Sequence, residues 1–112
     1  LGKTIQTISL FALLHQRGET NKPHLVIAPA TAIENWQREV SEWCPALRVE
    51  IYHGSAKERE EIRAKLLVDG KANFDVLITT YNMVTRKGDR VKFFKKMNFS
   101  YIVLGNFRTN ER

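Results

Sequence analysis

The sequence predicts an α/β domain, a mainly parallel sheet with helices on both faces. Short apolar runs rich in branched residues, "HLVIA", "FDVLITT" and "YIVL", alternate with segments whose apolar positions recur at helical spacing. These runs are continuously apolar, as strands covered on two faces are. The strings "TAIE" and "SAKE" place Thr31 and Ser55 three residues before a glutamate, the spacing of a capping box at a helix start.

Each element follows in order. After Thr4, the residues Ile5, Ile8, Phe11, Ala12 and Leu14 keep an apolar helical face, and Leu10 and Leu13 widen it almost all round. A well-buried helix is expected, ending at Gly18, where a left-handed residue costs nothing sterically. "HLVIA" is then a buried strand closed by Pro29. The next helix starts at Thr31, carries Ile33, Trp36, Val40 and Trp43 on one face, and ends at Pro45. "LRVEIY" alternates apolar and polar residues, the pattern of a strand near the sheet edge. After the turn at Gly54, Ile62, Leu66 and Leu67 face inward from the helix that "SAKE" begins. "FDVLITT" and "YIVL" are further strands, separated by the basic stretch "RKGDRVKFFKK", six cations against Asp89, which reads as a solvated turn and helix with a nucleic-acid contact as the alternative.

Composition bounds the function classes. The 112 residues make one domain, and 43% hydrophobic with 27% charged residues is ordinary for a globular fold, so disorder is not the default. The longest apolar run, residues 8–14 with Ser9 inside it, is too short to span a bilayer, and no signal-peptide succession is present. The chain is expected inside the cell and off the membrane. Its single cysteine, Cys44, excludes an internal disulfide and reads as a small apolar residue near a helix end. A net charge of +6 favours a polyanionic partner, although most of the cations are interleaved with carboxylates, as in "KEREEIRAK".

In a parallel α/β sheet, ligands gather at the carboxyl ends of the strands. The residues just past those ends are Pro29-Ala30-Thr31, His53-Gly54, Thr79-Thr80-Tyr81 and Gly105-Asn106. Gly2-Lys3-Thr4 would share that rim if a strand precedes it. A tight loop entering a helix turns backbone N–H groups toward an anion, lysine adds a point charge for phosphates, and a threonine hydroxyl can hold Mg²⁺. Gly-Lys-Thr alone is unspecific, and the βαβ alternation that follows is the setting it requires. His53 has no visible partner and reads as a turn residue, and no metal-ligand spacing appears.

The strings "LGKTIQT", "VIAPATAIENWQREVSEWCP", "IYHGSAKERE", "VLITTYNMV" and "YIVL" succeed one another as in the first motor lobe of Swi/Snf-type ATPases, chromatin-remodelling DNA translocases of helicase superfamily two. Asn35-Trp36, Trp43-Cys44-Pro45, "YHGS" and "TTYN" most resemble the SMARCAD-type subgroup. The resemblance covers residues 1–104, with residues 105–112 as a tail outside it. It implies a RecA-like P-loop lobe that binds ATP and Mg²⁺, grips double-stranded DNA by its backbone, and works on nucleosomes in the nucleus. By position it puts Gly2, Lys3 and Thr4 at the end of the phosphate loop, Lys3 on the phosphates and Thr4 on the metal. It puts Pro29, Ala30 and Thr31 in a first DNA-contacting loop and Thr79 and Thr80 in a second. Two readings stay open here. Thr31 serves equally well as a helix cap, and Thr79 and Thr80 as ordinary strand-ending residues. Trp36 and Trp43 share the apolar stripe of a helix and read as core.

Departures from the resemblance set its limit. There the strand matching "YIVL" runs into an Asp-Glu pair that orders Mg²⁺ and activates water, whereas here Gly105 and Asn106 follow Leu104. No catalytic carboxylate is left at that point, and the loop's first glycine and the second motor lobe are missing from the chain. The sequence therefore reads as a fragment of a translocase that does not turn over ATP by itself. The alternative is an inactive DNA- or protein-binding module.

Overall fold

The computed structural model describes residues 2–18 and 22–105. Helix α1 (Gly2–Arg17) leads to strand β1 (His24–Ile27), a 3₁₀ turn (Ala30–Ala32), helix α2 (Ile33–Trp43) and strand β2 (Val49–Tyr52). Helix α3 (Ala56–Leu66) then runs into a small antiparallel hairpin, β3 (Leu67–Val68) and β4 (Lys71–Ala72). Strand β5 (Val76–Thr79), helices α4 (Tyr81–Thr85) and α5 (Lys87–Lys92), a second 3₁₀ turn (Phe94–Lys96) and strand β6 (Ile102–Leu104) complete the order. The sheet runs β2-β5-β1-β6 with every pair parallel, so the predicted α/β architecture is the one the chain adopts.

Alternation along the strands divides the interior in two. Val26, Val76 and Ile78 face Ile8 and Phe11 of α1 and Ile33, Trp36 and Val40 of α2. Leu25, Ile27 and Leu77 face Leu66 of α3, Met83 of α4, and Phe93 and Phe94 after α5. Fully burying a side chain such as Phe11 or Phe93 contributes about 2 kcal/mol, so each layer of helices is held to the sheet by several such terms. Register brings the strand ends level, because Thr79 pairs with both Ile27 and Tyr52, and Ile27 pairs with Leu104. That alignment makes a rim of the residues that follow.

Four expectations are corrected. Thr31 caps nothing: a 3₁₀ turn occupies Ala30–Ala32, and α2 starts at Ile33 without a side-chain cap. Trp36 is buried, but Trp43 is 59% exposed, because α2 ends at Trp43 and Cys44 and Leu47 close the core in its place. Leu10 and Leu13 are also exposed, so α1 buries one stripe against α2 and the sheet and turns its other face outward. Ile102 and Leu104 are 62% and 67% exposed despite their apolar run. Strand β6 lies at the sheet edge, and among the described residues no helix covers that side of it. Other features follow the sequence. Gly18 ends α1 at φ +65°, Ser55 and Glu58 close a complete capping box, and the alternating β2 is the opposite edge.

Candidate functional site

The rim holds a cavity of about 290 Å³ between the ends of β1, β2 and β5, lined by Ala28, Pro29, Ala30 and His53 on one side and Thr80, Tyr81, Asn82 and Met83 on the other. Pro29 is extended and turns the chain from β1 into the 3₁₀ turn, which leaves Ala30 and Thr31 exposed. Neither the turn nor α2 takes a side-chain cap, and among the described residues the Thr31 hydroxyl is left uncommitted.

Thr79 and Thr80 are placed differently. Thr79 is fully buried, and its hydroxyl donates to the Tyr52 carbonyl at 2.6 Å, tying β5 to β2. The Thr80 hydroxyl accepts the Met83 N–H at 3.3 Å and so caps α4. The Thr79 hydroxyl thus spends its proton inside the fold, whereas the Thr80 hydroxyl serves there as an acceptor. Their effect on the rim is to fix the start of α4, which presents Tyr81, 62% exposed, and the exposed Asn82 to solvent.

Gly2 and Thr4 stand in the first turn of α1, and the Lys3 side chain lies outside the described residues. Phe11 stacks on His24, the first residue of β1, with ring centroids 4.3 Å apart, while Ile8 shares a cluster with Val26 and Ala28. α1 therefore runs back along β1. Nine helical residues and four strand residues each span about 13 Å, so the start of α1 is level with Ala28 on the rim. A helix N-terminus there suits a phosphate.

The end of β6 is closed. Gly105 donates its N–H to the Ile27 carbonyl at 2.6 Å, and a Cβ at this position would meet the Ala28 Cβ and the Trp36 Nε1 each at 2.9 Å. Asn106 and the rest of the tail fall outside the described residues. Among the described residues no group of three His, Cys, Asp or Glu could hold a metal ion.

A second polar centre lies on the face covered by α3 and α5. Asp89, 4% exposed, accepts from the Tyr52 hydroxyl at 2.5 Å and from Arg59 Nε at 2.9 Å, with Arg63 and Arg86 each at 3.4 Å. Burial pushes the Asp89 carboxyl up, but the Tyr52 hydroxyl and the Arg59 and Arg63 guanidiniums outweigh it and hold the group below the usual carboxylate range. Sequence reading missed this centre, since the one acid in a basic stretch looks like a solvated residue. Asp89 three positions after Arg86 was the only available signal.

The profile of the SNF2-related domain matches residues 1–106. The chain belongs to the SNF2-related family. It is 42% identical over 103 residues to the Drosophila melanogaster SWI/SNF-related matrix-associated actin-dependent regulator of chromatin subfamily A containing DEAD/H box 1 homolog, covering 92% of this chain and 12% of that protein. Against ATP-dependent helicase fft3 of Schizosaccharomyces pombe it is 47% identical over 104 residues, and against ATP-dependent helicase FUN30 of Saccharomyces cerevisiae 46% over 103, with 92% of this chain covered in both and 11% and 9% of those proteins. The chain thus spans about a tenth of these relatives, which bear out the SMARCAD-type resemblance. Among solved structures, the SWI2/SNF2 ATPase core of Sulfolobus solfataricus in complex with dsDNA superposes with a TM-score of 0.60 at 25% identity, over 93% of this chain and 25% of that one. The SNF2-related lobe and its RecA-like sheet are thereby established.

Proposed function

We propose that the chain is part of the first motor lobe of an ATP-driven chromatin remodeller that moves on double-stranded DNA in the nucleus. Within that lobe it supplies phosphate-site and DNA-backbone contacts without hydrolysing ATP by itself. The observation that carries the reading is the level rim, where three strand ends and the start of α1 bring an uncommitted hydroxyl, loop backbone and exposed polar side chains to one edge. Short hydroxyls and backbone amides bind phosphate oxygens without reading bases.

Pro29, Ala30 and Thr31 form the first DNA loop, with Thr31 donating its free hydroxyl to a backbone phosphate. Thr79 and Thr80 act on the DNA through the position they give Tyr81 and Asn82. Gly2, Lys3 and Thr4 hold the ATP phosphates, with Thr4 on Mg²⁺ in the parent protein. ATP, when bound, supplies the phosphoryl group whose transfer drives movement. The closed Gly105 position leaves the metal without its acidic partner, so no hydrolytic step is assigned to this chain. The same closure supports the second reading, an inactive DNA- or protein-binding module.

Fluorescence anisotropy with a short duplex tests the proposal. Affinity should fall steeply as salt rises from about 50 to 200 mM, and Thr31→Ala should weaken binding about tenfold, the weight of one charge-assisted hydrogen bond. Binding that ignores salt, or a Thr31→Ala variant that binds as before, would overturn the rim assignment.

A further inference from the structure

A cavity of about 630 Å³ opens between α3 and the α4–α5 segment, apart from the rim cavity and lined by none of the same residues. Lys57, Arg59 and Arg63 face it from α3, and Arg86, Lys87 and Lys92 from the opposite side. Two carboxylates, Glu60 and Asp89, accompany these six cations.

Their charges are not balanced. Asp89 is already shared among three guanidiniums, and two of those, Arg59 and Arg63, are only 11% and 18% exposed. Partly desolvated cations in excess of their counter-charge favour an incoming anion. Among the described residues no carboxylate pairs with Lys57, Lys87 or Lys92. The arginines are also held in place. Arg59 Nη1 donates to the Gly54 carbonyl at 2.6 Å, and Arg63 Nη1 donates to the Tyr52 hydroxyl at 2.8 Å. Planar guanidinium forks fixed in this way suit phosphate oxygens, and the lysines around them supply mobile point charges for further phosphates.

We propose that this cavity is a second anion site, which takes a compact ligand bearing two or more phosphate groups, with Asp89 as the positioning residue that orients Arg59, Arg63 and Arg86. Its volume is that of a small-ligand site, and cations line it from two sides. The rim cavity, by contrast, is lined by no lysine or arginine. The site does not depend on the rim assignment.

Calorimetric titration of the chain with inorganic tripolyphosphate, beside the same titration with a short DNA duplex, tests it. The expected result is saturable tripolyphosphate binding that the double variant Lys57→Gln/Lys92→Gln weakens about tenfold or more, two exposed charges being removed without touching the Asp89 cluster. Duplex binding by the variant should stay unchanged, and far-ultraviolet circular dichroism should show its fold intact. Absence of saturable binding would overturn the proposal, as would a variant that binds tripolyphosphate as before. Equal losses for duplex and tripolyphosphate would also overturn it, because the cations would then belong to a track for polynucleotide backbone. Failure of duplex binding alone, with tripolyphosphate binding kept, would count against the rim and leave this cavity standing.

Discussion

His24 is buried at the first position of β1, its ring nearly parallel to Phe11 and tilted against Tyr101. Among the described residues its Nδ1 has no hydrogen-bond partner. Burial lowers its pKa below the ordinary 6.5, and the Asp75 charge opposes this only in part. The folded chain therefore keeps the ring neutral where the unfolded chain would protonate it. Stability from neutral His24 is complete above about pH 6.5 and is lost as pH falls toward the lowered value. The urea midpoint should drop between about pH 7 and pH 5.5, and His24→Phe should flatten that slope; an unchanged slope would remove His24 as its cause. Asp89 makes a harsher test. Removing its charge strands three guanidiniums, two of them mostly buried, so Asp89→Asn should cost about 3 kcal/mol in urea unfolding. A cost under about 1 kcal/mol would show that solvent already screens the cluster.

Thr31 and Ser55 show why one helix start was legible in the sequence and the other was not. Both stand three residues before a glutamate, yet only Ser55 forms the reciprocal pair, with Glu58 N–H to Ser55 Oγ at 3.1 Å and Ser55 N–H to Glu58 Oε1 at 2.8 Å. After Pro29 the chain enters a 3₁₀ turn, which moves the start of α2 two residues past Thr31. A capping signal fixes spacing along the chain but not the backbone entry angle that the preceding proline sets. Ser55→Ala should cost about 1 kcal/mol of stability, whereas Thr31→Ala should leave the thermal midpoint unmoved. Equal losses from both would mean that Thr31 caps after all. Helix faces were legible where packing is continuous, as at Ile33, Trp36 and Val40. They failed at Trp43, where the helix stops and the last stripe position has no opposing layer. In the candidate site, the rim positions could be read from strand ends alone. The hydroxyl partners of Thr79 and Thr80 could not, because they depend on strand register and on α4.

Across the whole molecule, the sheet has unlike edges. Strand β2 alternates and is half covered, while β6 presents Ile102 and Leu104 to solvent and, among the described residues, has no strand beyond it. Such an edge invites pairing with another strand. The chain should self-associate on concentration, and Ile102→Lys/Leu104→Lys should reduce that association in sedimentation velocity; an unchanged distribution would place the contact elsewhere. The same end of the molecule decides the central question of catalysis. Where the resemblance puts an acidic pair, the chain has Gly105, packed against Ala28 and Trp36, followed by Asn106. The most direct test is ATP hydrolysis by the chain in the presence of saturating duplex DNA and Mg²⁺. The expected result is phosphate release at the rate of the protein-free control while DNA binding persists. Hydrolysis above that control, stimulated by DNA and lost with Lys3→Ala, would contradict the assignment of this chain as a lobe segment that binds without turning over.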